Sequence, residues 1–116
     1  MAEQDADCIF CKIAAGETPA DIVYEDHWAV AFRDLNPRAP THVLVIPRRH
    51  VPSVAELSEH DGEVLAAMFG AIRSVARDAG LSGYRVVSNV GAEAGQSVLH
   101  LHFHLLGGRP MSWPPG

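Results

Sequence analysis

Between Leu99 and Leu105 the chain alternates strictly. Leu99, Leu101, Phe103 and Leu105 are apolar, and His100, His102 and His104 stand between them. A period of two belongs to an extended strand, whose successive side chains point to opposite faces. The stretch predicts a half-buried strand with one face in the core and three imidazoles on the other. Same-face neighbours on a strand are roughly 6.5–7 Å apart. Three rings at that spacing can share one small ligand, one phosphate or one metal ion. A stripe that merely faced solvent would need no histidine, since Thr, Lys or Glu would serve.

The rest of the chain must supply a core for that strand, and 116 residues suffice for one domain, 1–116. Residues 1–7 read as a loose tail. Cys8 to Ala15 predicts a short helix, with Asp7 as N-cap and Gly16 as stop. Ile9, Phe10 and Ile13 would share one of its faces, as core or as ligand contacts. Ile22 to Glu25 and Trp28 to Arg33 predict a hairpin across Asp26-His27. Residues 34–40, with two prolines, are an irregular loop. Thr41 to Ile46 is a third strand, and Val43-Leu44-Val45-Ile46 lacks alternation, as in a strand buried on both faces. Ser58 to Gly80 holds the one long helix, with Ser58 and Asp61 as its start signal. Its apolar stripe is Val64, Leu65, Met68, Phe69, Ile72, Val75 and Ala76. Tyr84 to Val90 is a fourth strand, and a glycine-containing loop to Gly95 leads to the histidine strand. Residues 107–116 form an irregular tail. One long helix among strands with short connections gives an α+β domain with a mainly antiparallel sheet.

The formal net charge of −5 speaks against a nucleic-acid backbone or an anionic membrane as partner. No apolar run is long enough to cross a bilayer, and Met1 to Asp7 is acidic without an apolar signal region. The expected location is the cytoplasm. In that reducing compartment the Cys8-x-x-Cys11 spacing suggests a metal or a redox dithiol rather than a disulfide.

Asn89, Gln96 and Ser97 would lie at one end of the histidine face if the last two strands form a hairpin. A glycine-rich turn presents backbone N–H groups to an anion, and Asn, Ser and imidazole add donors, so the set suits a phosphate. Histidine can itself attack phosphorus, because a neutral ring already carries one free lone pair. Its other nitrogen must be held as N–H by an acceptor, and the flanking histidines can donate to phosphate oxygens or to the leaving group. That chemistry needs no metal. The competing reading is zinc, which His residues at i and i+2, the two cysteines and His50 could bind.

The run His100-Leu101-His102-Phe103-His104-Leu105-Leu106 resembles the H-φ-H-φ-H-φ-φ signature of the histidine-triad (HIT) superfamily. Gly95-Gln96-Ser97-Val98, Ala39-Pro40-Thr41-His42 with Val45-Ile46-Pro47, Gly83-Tyr84-Arg85-Val86-Val87 with Asn89, and the ending Trp113-Pro114-Pro115-Gly116 are similar to its Hint branch. The resemblance runs from Cys8 to the C-terminus. It implies a five-stranded antiparallel sheet with one long and one short helix, dimerising into a ten-stranded sheet. It also implies hydrolysis of purine nucleoside phosphoramidates, carrying an AMP or GMP moiety, through a nucleotidyl-histidine intermediate.

Position by position, the resemblance makes His102 the nucleophile and His104 the phosphate-contacting histidine, with His100 and His42 in support. It places Ser97 and Asn89 at the phosphate and leaving group, and Gly95 and Gln96 in the phosphate turn. Asp34 would take both ribose hydroxyls. Ile9, Phe10, Ile13, Phe32 and Leu35 would form the base pocket, and Trp113 would reach the partner subunit's site. Arg33 departs from the neutral or aromatic residue common beside Asp34. Cys8 and Cys11, absent from many eukaryotic Hint proteins, resemble a zinc-binding branch whose other ligands match His50 and His100; that zinc would be structural. The rivals are a dinucleoside polyphosphate hydrolase and a nucleotide-binding adaptor with incidental hydrolysis. The Gly-Gln-Ser turn and the Trp-Pro-Pro-Gly ending argue against the first.

Overall fold

The computed structural model describes residues 5–116. Five strands form one sheet, β1 (Ile22–Glu25), β2 (Ala29–Arg33), β3 (Thr41–Pro47), β4 (Tyr84–Val87) and β5 (Phe103–Gly107), in the order β1-β2-β3-β5-β4. Every pairing is antiparallel, so the sheet is wholly rather than mainly so. The short helix α1 (Ile9–Ala14) covers one face and the long helix α2 (Gly62–Asp78) the other.

β3 lies at the centre and is buried on both sides, as its continuous apolar run requires. Val43 and Val45 join Ala29, Ala31, Phe103, Leu105 and the stripe of α2 in one core. Leu44 and Ile46 join Val30, Phe32, Phe10 and Ala14 in the other. The small Ala29 and Ala31 let α2 sit close to the sheet. Phe69 of the predicted stripe is instead half-exposed, tilted against Phe103 at 5.1 Å between ring centres.

Local chemistry fixes the boundaries. The N-cap of α1 is Cys8, not Asp7: its Sγ accepts the N–H of Cys11 at 3.4 Å. Of the expected tail, residues 1–4 lie outside the described residues, and 5–7 form a turn in which Asp5 N–H donates to Cys11 Sγ. Trp28 leaves the second strand because Asp26 Oδ1 takes the N–H groups of Trp28 and Ala29, closing a tight turn. Ser58 and Asp61 do form a capping box, around a 3-10 turn at 59–61 that feeds α2. At the other end Gly80, at φ +69°, closes a Schellman turn, with Leu81 N–H on the carbonyl of Ala76.

The histidine stretch differs most from expectation. The ladder begins at Phe103, so residues 99–102 have no strand partners, and the chain bends through residues 98–100. Leu101 N–H bonds instead to the carbonyl of Val51. Leu99 is 67% exposed rather than in the core, whereas Leu101, Phe103 and Leu105 keep their places beneath α2. β4 likewise stops at Val87, leaving Asn89 in the loop, and Gly107 belongs to β5 rather than to the tail.

Candidate active site and metal centre

The imidazole face is not open. α1 lies over it, and the Phe10 ring meets His100 and His102 edge-on at 5.9 and 5.2 Å. His100 and His102 are buried and His104 partly so. The three rings do not converge on one point, because His100 turns away into a separate cluster with Cys8, Cys11 and His50.

His102 and His104 remain neighbours, with ring centres 5.1 Å apart. His102 Nδ1 lies 2.7 Å from the carbonyl oxygen of His100. A carbonyl only accepts, so Nδ1 carries the proton and Nε2 is left as a free lone pair. The same logic orders the next two rings. Arg38 N–H donates to His42 Nδ1 at 3.0 Å, which puts the His42 proton on Nε2. His42 Nε2 stands 2.9 Å from His104 Nδ1, which must accept. His104 therefore carries its proton on Nε2. The Arg38 N–H on one side of His42 and the Asp34 carboxylate near its Nε2 thus set the direction of a two-ring relay that ends in a donor on His104, the neighbour of His102.

Both relay rings are neutral near pH 7. Burial pushes His104 down to about 4, helped by the neighbouring His102 and His42. Burial likewise lowers His42; the Asp34 carboxylate, 3.3 Å from its Nε2, opposes this without reversing it. Asp34 Oδ1 accepts the N–H of Asn36 at 2.8 Å. Asp34 stands at the rim of a cavity of about 280 Å³ whose apolar wall includes Ile9, Phe10, Ile13, Phe32, Leu35 and Leu44. Its polar rim adds Asp21, Arg33 and Asn36, with Arg33 Nε bonded to Asp21 at 3.1 Å. Periodicity does not single out such rim residues, because Asp21 and Asn36 lie in connections and Arg33 at the very end of β2.

Gln96 is buried, and its side chain is fully engaged: Oε1 accepts Gly91 N–H, and Nε2 donates to the carbonyls of Pro52 and Val98. It braces the loop. Gly95, at φ +93°, turns that loop in the left-handed region with the Asn89 amide beside it. Ser97 is exposed, in a cavity of about 460 Å³ shared with Cys8 and His50. Trp113 is exposed on the tail.

The second cluster has the geometry of a metal centre. Tetrahedral zinc with N and S ligands implies N···N edges of about 3.3 Å and N···S edges of about 3.6 Å. Here His50 Nδ1 and His100 Nδ1 are 3.3 Å apart. Cys8 Sγ is 3.3 Å from His100 Nδ1, and Cys11 Sγ is 3.3 and 3.6 Å from the two rings. His100 Nε2 donates to the carbonyl of Pro47 at 2.9 Å, so its Nδ1 is a lone pair facing the cluster. Burial pushes His100 down to about 4, the neutral form a ligand needs. Burial also pushes the Cys11 thiol up, which a divalent cation would reverse. Asp34, His42 and His104 also gather three donor atoms. There, however, the Arg38 N–H leaves a proton on His42 Nε2, where a cation would need a lone pair.

Residues 7–113 match the family described as scavenger mRNA decapping enzyme C-term binding. An uncharacterized HIT-like protein of Synechocystis is 50% identical over the whole of both chains. A 14 kDa zinc-binding protein of Zea mays is 48% identical, covering 97% of this chain and 90% of that one. The crystal structure of a HIT family hydrolase from Legionella pneumophila superposes with a TM-score of 0.92 at 50% identity, covering 95% of this chain and all of that one. With the imidazole relay in place and these likenesses spanning nearly its full length, the chain belongs to the histidine-triad (HIT) family.

Proposed function

We propose that the protein is a hydrolase that cleaves the P–N bond of purine nucleoside phosphoramidates through a nucleotide held covalently on His102. The observation that carries this reading is the His102 ring: Nδ1–H is tied to the His100 carbonyl, and Nε2 is free, 5.1 Å centre to centre from His104. Nε2 attacks the α-phosphorus without first losing a proton, the P–N bond breaks, and the leaving nitrogen takes a proton from solvent and departs as the amine. The positive charge that develops on the ring is stabilised at Nδ1–H by the carbonyl. The His104 Nε2–H, aimed by the relay, hydrogen-bonds a non-bridging oxygen as charge gathers there. Water then attacks phosphorus, and His102 leaves as a neutral imidazole. The purine occupies the 280 Å³ cavity, with Asp34 at its rim to accept both ribose hydroxyls. Ser97 and Asn89 serve the leaving-group side.

The test is turnover across AMP and GMP phosphoramidates, AMP-lysine and dinucleoside polyphosphates, followed by mapping of the trapped nucleotide. Preferred turnover of phosphoramidates with the adduct on His102 supports the reading. Preferred turnover of dinucleotides, or an adduct on His104, overturns it.

The same reading includes one structural zinc held by Cys8, Cys11, His50 and His100. Four N and S ligands leave no open position, so the ion would tie α1 to the sheet. It includes a homodimer as well: β4 is an edge strand with Tyr84 and Val86 exposed, and Phe69 is exposed on the α2 side. Pairing two such edges would satisfy their backbone groups and extend the sheet to ten strands. Trp113 would then reach toward the partner's site.

A further inference from the structure

The relay through His42 begins at a peptide, and that peptide is gripped from the far end of the chain. Arg109, two residues beyond β5, donates through Nε and Nη2 to the carbonyl oxygen of Arg38, at 3.0 and 2.9 Å. Its Nη1 donates to the carbonyl of Pro110 at 3.0 Å. All three guanidinium nitrogens therefore bind main chain. The residue they hold, Arg38, is the one whose N–H donates to His42 Nδ1. A second contact comes from the same turn. Gly108 sits at φ +91°, and a Cβ there would stand 2.9 Å from the Cβ of Pro40. The tail thus presses on the 34–40 loop at Pro40 and holds it at Arg38. Residues 35–38 are exposed and outside the ladder, so sheet pairing does not fix them.

The direction of the relay depends on that grip. Suppose the Arg38 N–H swings away from His42 Nδ1. His42 can then carry its proton on Nδ1, with Nε2 a lone pair facing His104 Nδ1, and only the Asp34 carboxylate 3.3 Å from that Nε2 still favours the other tautomer. His104 must answer with a proton on Nδ1, which strips the proton from its Nε2. The group facing the site changes from a donor to an acceptor, opposite an anionic phosphate. No net charge is gained or lost; each ring only exchanges one tautomer for the other.

We propose that Arg109 is a positioning residue: by clamping the Arg38 carbonyl it holds the Arg38 N–H on His42 and keeps the proton of His104 on Nε2, toward the substrate. Its consequence for rate rests on the phosphoramidase reading; its consequence for tautomers does not. Arg109→Lys keeps the charge but cannot place two donors from a planar fork on one oxygen. Arg109→Met keeps only the apolar stem.

The experiment combines long-range proton–nitrogen NMR of the histidine rings in the ligand-free full chain with kcat and KM for an AMP phosphoramidate. In the native protein His42 and His104 should each show a single Nε2–H tautomer. In both variants that pattern should give way to a mixture, with thermal unfolding little changed. kcat should fall by a few-fold to about a hundredfold, the range that misplacement of a catalytic group by up to an ångström costs. KM should rise as well, because Asp34, Leu35 and Asn36 of the same loop line the base cavity, so the tautomers decide the role. Native tautomers in the variants overturn the proposal, and so does a fall in kcat that only tracks lost folded protein. If no phosphoramidate is turned over by the native chain, the function proposed above fails, while the tautomer comparison still decides the role of Arg109.

Discussion

Three histidines at alternate positions meet three different surroundings, and their chemistry follows from the atom each one faces. His102 faces its own main chain, His104 faces His42, and His100 faces sulfur. His102→Ala should abolish turnover. It should also lower stability by about 1–3 kcal/mol, as buried truncations do, because His102 packs beneath Phe10. A site face was expected to be separable from the core; here the imidazole face is itself a second core face. His102→Asn, which fills more of the space, should lose the activity with a smaller drop in melting temperature. Asp34→Ala should weaken binding of ribonucleotides far more than deoxyribonucleotides, since one carboxylate would serve both hydroxyls; equal losses in calorimetric titration would remove it from that role. The alternation made these histidines legible. The departure of the His100 ring did not follow from the alternation, because period two gives the side of a strand but not what packs against that side; it followed from the resemblance that groups His100 with Cys8, Cys11 and His50.

Among the elements, α1 shows how little of a fold can rest on propensity. Six residues are too few for a stable isolated helix. It is held by the Cys8 sulfur at its start, Phe10 packed edge-on against Phe32, and Arg48 Nη1 on the carbonyl of Ala14. The sequence marked the helix and its glycine stop but put the cap one residue early, since a cysteine is not an ordinary capping residue. Strand existence was similarly readable and strand ends were not. β4 ends where the loop takes over its partners: Ser88 Oγ bonds to the carbonyl of His102, and the Gln96 amide ties residues 91 and 98 to Pro52. Gln96→Leu should strip three part-buried backbone hydrogen bonds and loosen the loop, visible as faster amide exchange at Gly91. At the outer edge of β4, Val86→Lys should yield monomers in sedimentation velocity, since a lysine on an exposed edge blocks strand addition. A native chain that sediments as a monomer would sink the dimer.

For the whole molecule, acid should be destabilising well before the carboxylates titrate. The folded-state value of His104 is about 4 and that of His42 is also lowered, against an ordinary value near 6.5. Between those limits the unfolded chain binds more protons, so stability is fully present above about pH 6.5 and is lost as the pH falls toward 4. Denaturant midpoints at pH 7.5 and 5 should show that order, and equal midpoints would mean these rings are solvated. Metal analysis should find near one zinc per subunit, absent from the Cys8→Ser, Cys11→Ser double variant together with a lower melting temperature. His100 joins the two centres: its ring belongs to the cysteine cluster, and its carbonyl holds the proton of His102. The link runs through one residue's own backbone, so an empty cluster should disturb the aim of the nucleophile and also loosen the cavity wall that Ile9, Phe10 and Ile13 of α1 supply. A zinc-depleted preparation should then behave as a mixture of working chains and idle chains that bind nucleotide more weakly. Specific activity plotted against bound zinc should be a straight line, and the assay of this protein becomes a gauge of its metal supply.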